Sequence, residues 1–315
     1  MGNHSPAHLV VLGLSLTVYI LVVLLNALAG QGLAPFLRKT ANVSDEYNTQ
    51  ITPSGWTFSI WGVIYSWLTG MLCYILSTTC RRNSYGYIYC SPPVLPYGFF
   101  IAWICNMLFN LTWLLLWDRL QMIAAFIFLG LIAFTNYVAL FFSCHGLISY
   151  GAWLNTYHKA DLWLIRVLVQ NGLATYTTWT TIATLINLNI VLAYDAGMSQ
   201  SDAGTVALSI LLVEACVWFI LENFVFEKHV RYILTIYPVV IIALSGNMTK
   251  NYNHAGPSRN GLFTAVLLAL ACVLFAARLI LVLWRHFKQP LYTNITSENS
   301  MSPMEIAKKQ KAIFS

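Results

Sequence analysis

Eight long apolar runs constrain this chain more than any other feature. They lie at Leu9–Ala29, Trp56–Ser77, Leu95–Trp117, Leu120–Ser143, Leu162–Ala193, Gly204–Phe226, Tyr232–Gly246 and Gly261–Trp284. A helix rises about 1.5 Å per residue, so roughly 20 mostly apolar residues cross about 30 Å of hydrocarbon. Most of the runs reach that length, and they are apolar all round rather than in alternation. That excludes barrel strands and predicts an all-α, polytopic transmembrane helical bundle of about eight spans. The run Tyr232–Gly246 is short and holds Pro238, which predicts a kinked or re-entrant segment. The polar gaps between runs are too short to bury a core of their own.

Charge agrees with this class. Only 9% of the 315 residues are charged, against roughly 25% in soluble domains. Such a chain cannot cover a water-facing surface, which excludes a soluble enzyme, a disordered chain and a nucleic-acid-binding domain. Of the 17 basic residues, five follow Trp284, so residues 285–315 read as a basic, disordered tail facing an anionic cytoplasmic leaflet. Eight spans put both termini on one side. That side carries Arg81, Arg82, Lys159, Lys228, Arg231 and the five tail residues, ten in all, against five on the other (Arg38, Lys39, Arg119, Lys250 and Arg259). Cytoplasmic termini are therefore expected, in the plasma membrane or an endomembrane. The sequons at Asn42 and Asn247 fall on the outer side and are glycosylation candidates, whereas those at Asn3 and Asn294 would stay in the cytosol.

Charge inside the spans is costly in lipid and therefore a functional signal. Glu214 sits near the middle of the sixth run. Glu222 follows eight residues later, about 80° round the same helix. Arg278 lies six residues before Trp284, about 9 Å of helix, within reach of the interface as an anchor. Glu214 is too deep for that and is expected to be neutral, or paired with Arg278 or a polar neighbour. These three are the candidates for proton or ion coupling. The amides within the runs, Asn106, Asn110, Asn136, Gln170, Asn171, Asn187 and Asn189, are expected to form hydrogen bonds between helices. No histidine pairs with another ligand at metal-site spacing. No nucleophile elbow, phosphate loop or zinc-protease motif is present, so no metal and no enzymatic activity are expected.

Three stretches are more specific. The first is Ile51-Thr-Pro-Ser-Gly-Trp-Thr-Phe-Ser-Ile-Trp-Gly-Val-Ile-Tyr65. The second is Asn106-Met-Leu-Phe-Asn-Leu-Thr-Trp113. The third is Tyr176-Thr-Thr-Trp-Thr-Thr-Ile-Ala-Thr-Leu-Ile-Asn187. Together they resemble the tryptophan-rich sensory protein (TspO, or translocator protein) family, most closely its longer branch. The resemblance covers the first five runs, residues 9–193. It implies a five-helix membrane core at 1–193, followed by an additional three-helix segment at 194–284. Two positions depart from the family pattern: Thr175 stands where proline is usual, and Phe58 and Trp61 are one residue closer together than usual.

By resemblance, a pocket between the core helices is lined by Trp56, Trp61, Tyr65, Asn110, Trp113, Tyr176, Trp179, Ala183 and Asn187. Its occupant is implied to be a lipophilic small molecule, with a bound tetrapyrrole or sterol as the expected class. Aromatic rings suit such a ligand, offering flat apolar faces with polar edges. The leading expectation is a membrane protein that binds a small lipophilic molecule to sense or transport it. The first alternative is a secondary transporter coupled to protons or ions through Glu214; the second is a seven-helix receptor. The expected partners are the bilayer, the ligand and a second copy of the chain in a homo-oligomer, with no nucleic acid.

Overall fold

The computed structural model describes residues 4–292 and 301–313, so the sequons at Asn3 and Asn294 lie outside the described residues. The chain is a helical bundle with one two-stranded hairpin, Arg82–Asn83 against Gly86–Tyr87. Its helices are α1 (Pro6–Gln31), α2 (Thr40–Glu46), α3 (Ile60–Cys80), α4 (Tyr97–Asp118), α5 (Met122–Tyr157), α6 (Lys159–Leu164), α7 (Asn171–Ile190), α8 (Gln200–Ile220), α9 (Glu227–Val230), α10 (Ile236–Asn251), α11 (Arg259–Lys288) and α12 (Pro303–Ile313). A 3₁₀ turn at Gly55–Ser59 leads into α3. Short π-helical stretches at Ile165–Gln170, Val191–Asp195 and Leu221–Val225 make α6–α7 and α8 parts of longer continuous rods.

Among the described residues, six rods are long and apolar enough to cross a membrane: Pro6–Gln31, Gly55–Cys80, Tyr97–Asp118, Met122–Tyr157, Gln200–Val225 and Arg259–Lys288. The two other apolar runs are also helical, and each fails that test for its own reason. Helix α10 has only 16 residues. Helix α7 is long enough but carries threonine and asparagine along its length, and it lies at the centre of the bundle against α3, α5, α8 and α10. Protein surrounds it, so its polar side chains do not meet lipid. Most of its threonine hydroxyls donate to the carbonyl four residues back, as Thr175 does to Asn171 at 2.9 Å, which satisfies them within the helix itself.

Several boundaries differ from the apolar runs. Helix α5 continues to Tyr157, past Ser143 where the hydrophobic run ends. Hydropathy marks the membrane slab, and nothing in residues 144–157 breaks the backbone ladder. At 36 residues α5 extends about 54 Å, well beyond the hydrocarbon thickness. Pro238 makes no kink. It is the third residue of α10, where backbone N–H groups lack intrahelical acceptors in any case. In the tail, Pro303–Ile313 forms a helix that packs on α5, where the composition suggests disorder.

Ends and loops are held by specific polar contacts. Ser199 and Ser258 cap α8 and α11, accepting from the N–H groups of Asp202 at 3.1 Å and Gly261 at 3.0 Å. Gly32, at φ 68°, closes α1 in the left-handed conformation that glycine adopts without a Cβ clash. Asp118, at the end of α4, accepts from the N–H groups of Leu37 and Arg38, both at 2.9 Å. It pins the loop after α1 over the end of the bundle.

Candidate functional site

Helix periodicity places Tyr176, Trp179, Ala183 and Asn187 along one stripe of α7, three and four residues apart. The stripe faces α3 and α4, and there the three sequence motifs meet. Trp61 of α3 is the hub. Its ring centroid lies 5.6 Å from Tyr65, 6.5 Å from Trp113, 6.2 Å from Tyr176 and 6.2 Å from Trp179. Trp113 stacks in turn on Trp117 at 5.8 Å, and Phe58 meets Trp179 edge-on at 6.4 Å. These separations are those of favourable aromatic pairs. Trp61 and Tyr65 are half-buried, whereas Trp113, Tyr176 and Trp179 are buried.

An amide chain runs beneath the rings. Asn26 of α1 donates to Asn110 Oδ1 at 3.0 Å, and Asn110 Nδ2 donates to the Tyr176 hydroxyl at 3.1 Å. It ties α1, α4 and α7 together at the level of the rings. Asn26 joins the site although no motif points to it; its one signal in the sequence is an amide near the end of an otherwise apolar run.

Among the described residues, four polar atoms in this set are buried without a hydrogen-bond partner: the indole nitrogens of Trp113 and Trp179, the hydroxyl of Tyr65 and the Oδ1 of Asn187. Buried polar atoms in native proteins are nearly always paired. Unpaired donors beside stacked rings form a surface that can take a hydrogen-bond acceptor carried on a flat apolar body. Of the residues that resemblance assigns to the pocket, Trp61, Tyr65, Asn110, Trp113, Tyr176 and Trp179 come together. Ala183 and Asn187 continue the stripe below Trp179, with Asn187 Nδ2 donating to the Ala183 carbonyl at 3.0 Å. Trp56 stands apart. It is 50% exposed, and its indole donates to Thr249 at 3.2 Å.

The charged candidates separate sharply. Arg278 is not an interfacial anchor: it is 0% exposed and lies 3.4 Å from Glu222, which is equally buried. Its guanidinium also donates to Asn223 Oδ1 at 2.8 Å and to the Val230 carbonyl at 2.9 Å. Glu222 accepts from the Tyr237 hydroxyl at 2.7 Å and from the Trp218 indole at 3.1 Å. This network joins α8, α9, α10 and α11, and it supplies the pairing and hydrogen bonding that a buried charge requires. The sequence allows Arg278 to pair with Glu214, but Glu222 takes it instead. Glu214 is exposed on the α8 surface and forms no hydrogen bond or ion pair among the described residues.

The glycosylation candidates also part. Asn42 is exposed on α2. Asn247 is 5% exposed inside α10, and its Nδ2 donates to Thr264 at 3.3 Å. The nitrogen that would carry a glycan is thus engaged in the core, which removes Asn247 as an acceptor.

A family model described as "TSPO-like protein" matches residues 12–284. The match extends beyond the motif-bearing core at 9–193 and takes in α8, α10 and most of α11. No curated protein and no solved structure matches the chain.

Proposed function

The chain belongs to the TSPO-like protein family, and we propose that it binds a small, flat, lipophilic molecule of the sterol, lipid or tetrapyrrole class within the membrane, to sense or transport it. One observation carries this reading: the buried, unpaired indole N–H groups of Trp113 and Trp179 in a stack of aromatic rings. The ring faces suit an apolar plane, and the two N–H groups suit an acceptor on its edge. Each such bond is worth about 0.5–1.5 kcal/mol net. Half-buried Trp61, in contact with every other ring of the hub, is the side chain whose rotation admits the ligand. The residues perform binding and orientation; no part of the reading asks them for covalent chemistry. The family match favours the ligand-binding reading over a seven-helix receptor.

The test is binding of protoporphyrin IX and of cholesterol to purified protein. Replacing Trp113→Phe, Trp179→Phe and Asn187→Leu together keeps an apolar side chain at each position and removes three of the four unpaired polar atoms. Binding should be lost while the protein still folds and melts cooperatively; unchanged binding of both ligands overturns the assignment.

Coupling to protons or ions is the second reading, and it now rests on Glu214 alone, because Glu222 and Arg278 satisfy each other. Flux that depends on pH and loses that dependence in Glu214→Gln supports it. For localisation, the excess of Lys and Arg on the side of the termini supports cytoplasmic ends, in the plasma membrane or an endomembrane.

A further inference from the structure

On the opposite side of α7 from the aromatic hub lies a cavity of about 520 Å³. It is walled by α5, α7, α8, α9 and α10, and thus lies between the motif-bearing core and the later helices. Its volume falls within the range of small-molecule pockets. The wall is mostly apolar, with Leu140, Phe141, Ile182, Ala215 and Val240 among its side chains.

The polar groups of this wall share one property. The hydroxyl hydrogens of Thr177, Thr178 and Thr181 are donated to the carbonyls of Leu173, Ala174 and Thr177 at 2.6, 2.8 and 2.9 Å. Because the Thr181 hydrogen is committed, the Tyr137 hydroxyl, 3.0 Å away, must be the donor in that pair. The Trp218 indole and the Tyr237 hydroxyl are both spent on Glu222. What remains for an occupant is oxygen lone pairs and the Glu214 carboxyl, which has no partner among the described residues. The exceptions are His145, His229 and the Cys144 thiol. His145 is eight residues along α5 from Tyr137, about 12 Å away.

We propose that this cavity is a second binding site, selective for lipophilic amines, whose ammonium group is taken by Glu214 and the threonine oxygens while the apolar tail runs along α5 toward His145. A carboxyl at this depth in hydrocarbon needs either a proton or a counter-charge. Arg278, a fully buried cation near this wall, is already spent on Glu222. An ammonium offers several donors and a positive charge, and therefore complements a wall of acceptors. A fatty acid offers the same tail with the wrong polarity, leaving acceptor against acceptor and charge against like charge.

Native mass spectrometry of the full chain released from detergent reads this directly, with dodecylamine, dodecanol and dodecanoate offered at equal concentration. Dodecylamine should bind at one per chain, with dodecanol weaker and dodecanoate weakest. Glu214→Gln, which keeps shape and removes charge, should weaken dodecylamine at least tenfold and leave dodecanol within about twofold. Ala215→Phe, which puts a ring into the cavity beside Glu214, should weaken both. The aromatic-site variant Trp113→Phe/Trp179→Phe should leave dodecylamine uptake unchanged. Equal uptake of dodecanoate, unchanged dodecylamine binding in Glu214→Gln or in Ala215→Phe, or its loss in the aromatic-site variant would each overturn the proposal.

Discussion

Toward α3 and α4, helix α7 presents Trp179 beside Trp113, two buried indole N–H groups with no acceptor. Toward α8 and α10, the same helix presents Thr177, Thr178 and Thr181, whose hydrogens already go to the backbone. The first face has indole donors to spare, beside the Oδ1 of Asn187, and the other has acceptors to spare. The first is closed over by its own stacked rings; the second opens on a cavity of about 520 Å³. The difference arises from residue chemistry on a 3.6-residue repeat. An indole is too rigid and too distant to reach its own backbone, so its N–H must look outward. A threonine on a helix reaches the carbonyl four residues back and turns only lone pairs outward. A single helix thus meets indole N–H groups on one side and turns hydroxyl lone pairs to the other.

The contrast depends on Glu222, which draws the Trp218 and Tyr237 donors away from the cavity, so the largest effect is expected there. Glu222→Leu leaves Arg278 buried without its counter-charge, at a cost of about 3–5 kcal/mol. The folded fraction after detergent extraction should collapse, and Glu222→Leu/Arg278→Met should recover most of it. Failure of the double variant to recover would mean that the hydrogen bonds of Arg278 to α9 carry the stability, rather than the charge pair.

A smaller loss should follow Asn110→Ala, which breaks the amide chain and strands the buried hydroxyl of Tyr176, while Asn26 keeps its bond to the Val22 carbonyl at 2.9 Å. An abandoned buried group costs about 1–3 kcal/mol, so the melting temperature should fall clearly. An unmoved melt would show that water satisfies the Tyr176 hydroxyl and that the amide chain is not what joins α1 to α7.

Trp179→Phe sharpens the contrast further, because it keeps a ring and removes an N–H that bonds nothing in the free protein. The smaller ring leaves a core cavity and should cost about 0.5–3 kcal/mol of stability, while protoporphyrin IX binds up to about tenfold more weakly, the equivalent of about 1.4 kcal/mol. Unchanged binding would mean that the indole N–H takes no part in holding the ligand.

The smallest effect concerns His229, in α9 at the far end of the cavity. Burial, and secondly the neighbouring His145, hold its pKa below the ordinary imidazole value. The neutral form is thus favoured in the folded chain, and the stability this confers is present above the unfolded pKa, about 6.5. It is lost as pH falls through the lowered folded value. Melting temperatures recorded from pH 7.5 to 5 should decline slightly, and His229→Gln should flatten that decline.

Much of this organisation is readable in residue order. The apolar runs locate every long helix, because hydrocarbon accepts backbone only when its hydrogen bonds are closed internally. Trp61, Trp113, Tyr176 and Trp179 announce one another through the motif stretches, and they do meet. Helix ends are less legible. Residues 144–157 of α5 leave the apolar run but not the helix, since polarity and helical continuity are separate properties.

Sequence alone determined a polytopic helical bundle with an aromatic hub, because length, apolarity and helical spacing are local quantities. Only the tertiary structure decided which carboxylate Arg278 would meet, since Glu214 and Glu222 lie about 80° apart on one helix and either could face it. Packing also buried Asn247, left Glu214 without a partner among the described residues, and opened a cavity between the core and the later helices. Pairing and empty space are relations between elements distant in the chain, and no run of residues encodes them until the helices are set side by side.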